Sequence, residues 1–187
     1  MPRKKLPRKF FDRPAKEVAK DLLGKILCVK AGSKIFKARI VETEAYVGEH
    51  DQASHARFGK TDRNAVMYGP AGYAYIYFIY GMYEMLNVVT HGPDEPQAVL
   101  IRAAEPVDPK NFNLSGPGRL TRSLKIDRRL NGADLCGDKI FFLDGKVPLK
   151  IFVGPRIGVD YAGAWAKRRL RFLDAESPFV SVRPKLK

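Results

Sequence analysis

Two glutamates near the end of an apolar strand are the first residues whose type and spacing suggest chemistry. Glu42 and Glu44 lie in the segment RIVETEAY, whose alternation of apolar and polar residues predicts a strand. A carboxylate held partly out of water can act as a general base or stabilise a developing cation. The alternative is that both glutamates pair with some of the many lysine and arginine side chains. The strand alone leaves both interpretations open.

Three polar residues in the following loop suggest a second kind of chemistry. His50, Asp51 and His55 lie in EHDQASH, and Glu44 could supply a further metal ligand. Their spacing matches no compact ligand pattern, and neither of the two cysteines is close in sequence. We therefore expect no metal and no other cofactor, although a metal-dependent nuclease built on these three loop residues remains a hypothesis to test.

Asn87 and Arg102 are polar residues within otherwise apolar strands, MLNVV and VLIRAA. A buried amide or guanidinium needs hydrogen-bonding partners, and such exceptions to an apolar core cluster at functional sites. For Arg102, a structural ion pair with Glu42 or Glu105 explains the pattern equally well.

Tyrosine is concentrated in one stretch of the chain. Six of the eight tyrosines lie in segment 68–83. Tyr73, Tyr75 and Tyr77 share one face of a predicted strand, whereas Tyr80 falls on the other face beside the predicted hairpin tip. Aromatic rings can stack on nucleic-acid bases, and a ring at a hairpin tip can enter a duplex between base steps. The alternative is an ordinary aromatic core strand.

The segments before these residues predict the elements that position them. RPAKEVAKDLLGK predicts an amphipathic helix, with Pro14 in its first turn and Gly24 as its C-terminal cap. KILCVK and KIFKARIVETEAY predict two strands joined by turn residues 31–33. If the second strand runs unbent, the side chain of Ile40 shares a face with Glu42, Glu44 and Tyr46.

Further strands and a helix follow. YAYIYFIY and YEMLNVVT predict a hairpin with its tip at Gly81 and Met82, and AVLIRAAEP predicts a third antiparallel strand. GPGRLTRSLKI predicts a short helix, and DKIFFLDG, LKIFVGPRIGVD and SPFVSV predict later strands. We expect an α+β fold with a curved, mostly antiparallel sheet, flanking helices and a protruding β-hairpin. It would form a single domain over residues 1–187, with a basic N-terminal segment at 1–10 that is free to be flexible.

The charge balance predicts a polyanionic partner. Lysine and arginine number 34 against 20 acidic residues, which gives a formal net charge of +14. Neither a secretory signal nor a membrane-spanning run occurs, so we expect no membrane partner and an intracellular protein. It would be cytoplasmic and associated with the nucleoid in a prokaryote, or nuclear in a eukaryote. Cys28 and Cys136 lie far apart in sequence and imply no disulfide scaffold.

Seven segments in the same chain order resemble the alkyladenine DNA glycosylase family, also called mammalian-type 3-methyladenine DNA glycosylases. They are RIVETEAYVG, ASHAR, YIYFIYGMYEMLN, LIRAAEP, SGPGRLTRSL, RIGVDYAGAWAKRRLRF and SPFVSV. The resemblance implies a monofunctional enzyme, acting as a monomer without a cofactor, that starts base excision repair on damaged double-stranded DNA. Such an enzyme flips an alkylated or deaminated purine out of the duplex and hydrolyses its N-glycosidic bond. The expected substrates include 3-methyladenine, 7-methylguanine, hypoxanthine and ethenoadenine.

The resemblance also implies roles for individual residues. Glu44 resembles the base that activates the attacking water, and Arg102 resembles its partner in positioning that water. Tyr46 and Tyr77 resemble the aromatic walls of the base pocket, which is also lined by His55.

Two further residues resemble family residues that govern access to the pocket. Asn87 resembles the residue that crowds the exocyclic amino group of guanine and so excludes it. Tyr80 resembles the residue that fills the gap left by the flipped nucleotide. The competing functional hypothesis is a non-catalytic module that binds nucleic acid by stacking tyrosines on its bases.

Overall fold

A curved antiparallel sheet with short helices forms the structure, a computed structural model that describes residues 3–79 and 81–184. Its strands are β1 (Ile26–Ala31), β2 (Lys34–Val47), β3 (Ala74–Ile79), β4 (Tyr83–Thr90), β5 (Gln97–Asp108), β6 (Ile140–Leu143), β7 (Ile151–Gly154) and β8 (Arg171–Asp174). The α-helices are α1 (Arg8–Phe11), α2 (Ala15–Asp21) and α3 (Pro117–Ser123). Segments of 3₁₀ helix occur at His55–Phe58, Ala65–Tyr68, Arg128–Leu130 and Asp160–Lys167. The predicted α+β class is confirmed.

The long strand β2 lies at the centre of the sheet. The strand order is β3-β4-β5-β2-β1-β6, and β8 pairs with both β2 and β7. The first half of β2 pairs with β1, as in Ile26 with Arg39, and the second half pairs with β8, as in Glu42 with Leu173. Because β5 and β8 flank this second half, its side chains are enclosed by neighbouring strands.

Helix α2 packs on one face of the sheet, as its sequence pattern predicts. The apolar residues of the pattern are all fully buried, namely Ala15, Val18, Ala19, Leu22 and Leu23. Pro14 is the N-cap, one position before the predicted first turn, and the helix ends at Asp21. Gly24 follows with φ +81°, and a Cβ there would lie 2.0 Å from the Lys146 carbonyl oxygen. Only glycine fits this close approach.

A β-bulge at Val41 changes which residues of β2 face the helix. Ile40 pairs with Ala104 and Glu42 pairs with Ala103, so Val41 is the extra residue. Ile40 belongs to the main core under α2, and the Thr43 hydroxyl donates to a carbonyl of α2. The prediction that Ile40 shares a face with Glu42, Glu44 and Tyr46 is therefore wrong, because the strand is not unbent.

A matching irregularity in β5 lies directly opposite. Glu42 pairs with Ala103 and Thr43 pairs with Ile101, so Arg102 is the extra residue of β5. Bulges bend strands and redirect side chains, and they are frequent beside functional sites. Together the two bulges direct Glu42, Glu44 and Arg102 to the sheet face that lies away from α2.

Strands β3 and β4 form the predicted hairpin, with Gly81 and Met82 at its tip. Gly81 has φ +67° and the Met82 side chain is exposed. Tyr75 is buried in a cluster on which Tyr73 and Tyr77 also pack, so the shared face of these three tyrosines is confirmed.

Two other sequence predictions need correction. SPFVSV forms no strand, and β8 lies before it, in RFLD, where we predicted none. The basic N-terminal segment is held on the sheet from Lys5 onward, since Lys5 bridges to Leu143 and the buried Leu6 donates its N–H to the Phe142 carbonyl. Its length and charge gave no sign of this packing.

Candidate active site

A cavity of about 550 Å³ lies against the sheet face that carries Tyr46 and Arg102. Five residues predicted for the site line it together: Tyr46, His55, Tyr77, Asn87 and Arg102. They come from β2, β3, β4, β5 and the loop after β2, which are separate in sequence but adjacent in the strand order. The volume of the cavity is within the range of small-molecule pockets in proteins.

Glu44 lies directly behind this lining and is fully buried. Its Oε2 accepts a hydrogen bond from the Tyr46 hydroxyl at 3.0 Å and lies 3.4 Å from an Arg102 nitrogen. Its Oε1 accepts the backbone N–H of Ile157 at 2.8 Å. Burial raises the pKa of Glu44 above its ordinary value, while Arg102, the Ile157 amide and Tyr46 oppose that rise. Since an ionised carboxylate has about four acceptor directions, the three donors leave one for a water molecule.

Arg102 is held between two carboxylates. Its Nε donates to Glu42 at 3.2 Å, and the guanidinium lines the cavity. Glu42 is fully buried and also accepts from Arg171 and from both the backbone and hydroxyl of Ser181. The predicted structural pairing of Arg102 with Glu42 is confirmed, whereas Glu105 pairs with Arg39 instead. Glu42 therefore fixes Arg102 without lining the cavity itself.

The two aromatic side chains proposed as walls, Tyr46 and Tyr77, both border the cavity. Burial raises the pKa of Tyr46 well above its ordinary value, and the Glu44 carboxylate raises it further. Burial likewise raises the pKa of Tyr77. Both hydroxyls are therefore protonated at neutral pH, so Tyr46 acts as a hydrogen-bond donor.

His55 lies beside Tyr77, with their ring centroids 4.3 Å apart and the rings edge to face. Its Nδ1 is 2.9 Å from the hydroxyl of Tyr75. Burial, together with the positive charges of Arg63 and Arg57, lowers the pKa of His55 to about 4. The imidazole is therefore uncharged at neutral pH.

Asn87 is nearly fully buried on β4, at the edge of the cavity. Its Nδ2 donates to the carbonyls of Tyr75 at 3.2 Å and Met85 at 3.3 Å. These two bonds hold the amide in place, since a rotation of the side chain would leave two buried carbonyls without this donor.

The loop residues of the metal hypothesis do not form a ligand set. Asp51 is bound by the guanidinium of Arg156, His50 packs against the indole of Trp165, and His55 contacts Tyr75. Across residues 3–79 and 81–184, no group of three or more His, Cys, Asp or Glu side chains is arranged to hold a metal ion.

Sequence reasoning missed several residues of the site. Tyr75 received no role, yet it lines the cavity and contacts His55. Arg156 and Ile157 lie in RIGVD, a segment that matched the family but suggested no residue role. The donor from Ile157 is its backbone N–H, which every residue except proline carries, so the residue type does not reveal this role. The signal for Arg156 was a lone charge in an apolar segment, the same signal that identified Arg102.

Tyr80, the predicted intercalating residue, lies outside the described residues. Its neighbour Met82 exposes 58 % of its surface at the hairpin tip. No helix in the described stretches combines the length and apolar character that a bilayer crossing needs.

Comparisons with known proteins find related sequences over nearly the whole chain. The family model for methylpurine-DNA glycosylase matches residues 9–178. A relative from Methanocella arvoryzae is 50% identical over 192 residues, covering 95% of this chain and 96% of the relative. One from Anaeromyxobacter sp. strain Fw109-5 is 50% identical, covering 96% and 94% respectively. One from Legionella pneumophila strain Lens is 46% identical, covering 95% and 98%. Each of the three carries a provisional name as a 3-methyladenine DNA glycosylase.

Proposed function

The chain belongs to the methylpurine-DNA glycosylase family, and from this premise we propose that it flips alkylated or deaminated purines out of duplex DNA and releases them with an activated water. The family is one of hydrolases that act on N-glycosyl bonds, so the protein is an enzyme and the hypothesis of a non-catalytic binding module is wrong. The proposal concerns the finer steps of the reaction and the residues that carry them.

Glu44 is the proposed general base. As the N-glycosidic bond loosens, the sugar gains positive charge, which a nearby carboxylate stabilises while it takes a proton from the attacking water. Three lining groups contact Glu44, from Tyr46, Arg102 and Ile157, so the carboxylate lies one hydrogen bond from the cavity. A water molecule in its remaining acceptor direction would stand beside Arg102, which we propose helps to orient it.

The walls of the cavity account for selection of damaged bases. Many alkylated purines are positively charged, and the electron-rich faces of Tyr46 and Tyr77 attract a cation more strongly than a neutral base. An uncharged His55 avoids repelling such a base. Asn87, held by two hydrogen bonds, is proposed to exclude the exocyclic amino group of guanine. The proposed substrates are 3-methyladenine, 7-methylguanine, hypoxanthine and ethenoadenine.

Several coarser features complete the proposal. Within the described residues, no lysine lines the cavity, which favours a monofunctional glycosylase over an enzyme with a Schiff-base lysine. We propose a single domain over residues 1–187 that acts as a monomer on double-stranded DNA. Tyr80 is proposed to fill the gap left by the flipped nucleotide. Because the relatives compared come from prokaryotes, we propose a cytoplasmic, nucleoid-associated location.

The observation that carries this proposal is the fully buried Glu44 carboxylate behind an aromatic cavity. Its test is Glu44→Gln, which keeps the shape and removes the base. We expect base release from lesion-bearing duplexes, measured as alkali-sensitive abasic sites, to fall by about 10²–10⁴-fold while binding persists. Glu105→Gln is the matched control, because Glu105 pairs with Arg39 outside the cavity lining. Equal release by Glu44→Gln and the wild type would overturn the assignment of Glu44.

A further inference from the structure

A buried ion pair behind the cavity wall has no role in the reaction described above. Asp51 and Arg156 are both fully enclosed, with no side-chain exposure on either partner. Two guanidinium nitrogens of Arg156 donate to the two carboxylate oxygens of Asp51, at 2.5 and 2.8 Å. Neither residue lines the cavity, so neither can touch a base bound there.

Stability alone is a weak reason for this pair. Removing two charges from water has a large desolvation cost, and a well-packed apolar pair of similar volume is often as stable. The Nε of Arg156 is buried and has no hydrogen-bond partner among the described residues, which adds to that cost.

The pair joins three parts of the site. Arg156 donates to the Ala45 carbonyl of β2 at 2.9 Å, and its guanidinium carbon lies 4.7 Å from the ring centre of Tyr46. Asp51 accepts the N–H groups of Val47 and Ala53, which fixes the loop where it leaves β2. The cation thus backs the Tyr46 wall on the side that does not face the cavity.

The same pair sets the position of a donor to Glu44. Ile157 directly follows Arg156, and its N–H is the 2.8 Å donor to the Glu44 carboxylate. The next residues, Gly158 and Val159, form part of the cavity lining. A shift of Arg156 would therefore move part of the cavity wall together with the Ile157 N–H that donates to Glu44.

We propose that the Asp51–Arg156 pair is a positioning element that sets the Tyr46 wall and the Ile157 N–H against Glu44. This inference rests on the proposed function, since it assigns the pair to the excision step. Displacement of catalytic groups by about 1 Å through a remote mutation can cost about 10²-fold in rate. The pair would therefore affect the rate of base release and leave DNA affinity nearly unchanged.

The test separates base release from DNA binding in the whole chain of 187 residues. For Asp51→Asn, we expect the single-turnover rate constant for base release to fall by about 10²-fold. Affinity for a duplex with a tetrahydrofuran abasic analogue should stay within about threefold, because neither side chain can reach DNA. Arg156→Lys keeps the charge but loses the two-nitrogen grip, so we expect an intermediate loss of about tenfold.

Asp174→Asn is the matched control. Asp174 also pairs with an arginine, Arg39, and also accepts the N–H of the residue two positions later, but it lies outside the cavity lining. This variant should lose stability and keep the wild-type release rate.

A spectroscopic readout reports on the wall directly. Trp165, the only tryptophan of the chain, packs with Val159 and Tyr46 in a small cluster beside the cavity. Its fluorescence emission should shift to longer wavelength in Asp51→Asn and stay unchanged in Asp174→Asn. All measurements are made where circular dichroism shows the variants folded.

Release rates and Trp165 emission in Asp51→Asn equal to those of the control would overturn the inference. If Asp51→Asn does not fold, Arg156→Lys decides the question, and a wild-type release rate in that variant overturns the inference. A wild type that releases no base from any lesion would remove the proposed function and this inference together. An active wild type with unaffected variants would remove only the positioning role.

Discussion

The hydroxyl of Tyr46 lies 3.0 Å from Oε2 of Glu44, two residues before it on the same strand. Alternate residues of a strand project from the same face, so the proposed base and the proposed pocket wall share an orientation set by β2. Tyr46 thus has two proposed roles. It borders the cavity, and its hydroxyl donates a hydrogen bond to the Glu44 carboxylate.

Tyr46→Phe separates these two contacts. The ring remains for stacking, while the carboxylate loses a donor that favours its ionised form, so the pKa of Glu44 should rise further. Because the base must be ionised, the acidic limb of the rate profile should move to higher pH. The measurement is the single-turnover release rate between pH 4.5 and 8. Tyr77→Phe, which removes the hydroxyl of the other proposed wall, is the control and should leave the limb in place.

In the wild type, the acidic limb should already lie above the ordinary glutamate value, because burial raises the pKa of Glu44. The release rate should fall as the pH drops through that raised pKa and the carboxylate becomes protonated. If the residual release rate of Glu44→Gln shows no acidic limb, the limb in the wild type belongs to Glu44. A limb that persists there unchanged would assign it to another group.

His55 should influence stability at acidic pH. Its folded pKa is about 4 against an ordinary 6.5, so between these values the unfolded chain binds a proton that the folded protein does not. Stability should therefore fall as the pH drops from about 6.5 to 4, by up to about 1.4 kcal/mol per pH unit from this group. Urea unfolding of the wild type and His55→Gln at several pH values measures the difference. Equal pH slopes for the two proteins would contradict it.

Asn87→Ala should relax the exclusion of guanine. The smaller side chain leaves room for an exocyclic amino group, so we expect release of guanine from mismatched sites to increase at least about tenfold. Release of hypoxanthine, which lacks that group, serves as the internal reference. A parallel loss for both bases would indicate that Asn87 supports the pocket and does not select.

Tyr80→Ser should weaken excision more in a paired site than in an unpaired one. Opening an intact pair costs a few kcal/mol, and a ring that fills the gap offsets part of this cost. The ratio of release rates for one lesion in a paired duplex and in a bulge measures the effect. Met82→Ser, at the exposed tip of the same hairpin, is the control. Equal losses in both contexts would remove the wedge role.

The net charge of +14 should appear as a steep salt dependence of DNA binding. Arg63 is exposed and lines the cavity, so Arg63→Ala should reduce the slope of log K against log salt by about one. Lys20→Ala, on α2 across the sheet from the cavity, should leave the slope unchanged. Equal slopes in both variants would place the phosphate contacts elsewhere.

The sequence predicted most of the strands and identified polar residues that the structure places in or behind the cavity. Glu44, Arg102 and Asn87 stood out because a polar residue in an apolar strand needs a partner, and the structure places all three in or behind one cavity. The phase of Ile40 relative to Glu42 could not be predicted. A bulge depends on pairing with a distant strand, and the alternation within one strand contains no information about it.

The remaining errors also have a tertiary cause. SPFVSV has the composition of a strand, yet its Ser181 N–H serves as a donor to Glu42 and not to a neighbouring strand. Arg156 acquires its importance from Asp51, more than one hundred positions earlier in the sequence. Contacts across such distances are set by the folded sheet and are not visible in any local window.

The bulge at Val41 makes strand pairing, and not only residue type, a determinant of the proposed activity. If Val41 occupied an ordinary paired position instead, the second half of β2 would turn over, so Glu44 would point at α2 and Thr43 into the cavity. Regular pairing of Val41 would thus leave every proposed catalytic residue in the chain and remove the base from its site, whereas deletion of Val41 would keep Glu44 on the cavity face. Because the two halves of β2 are out of phase, one strand contributes side chains both to the buried core and to the cavity.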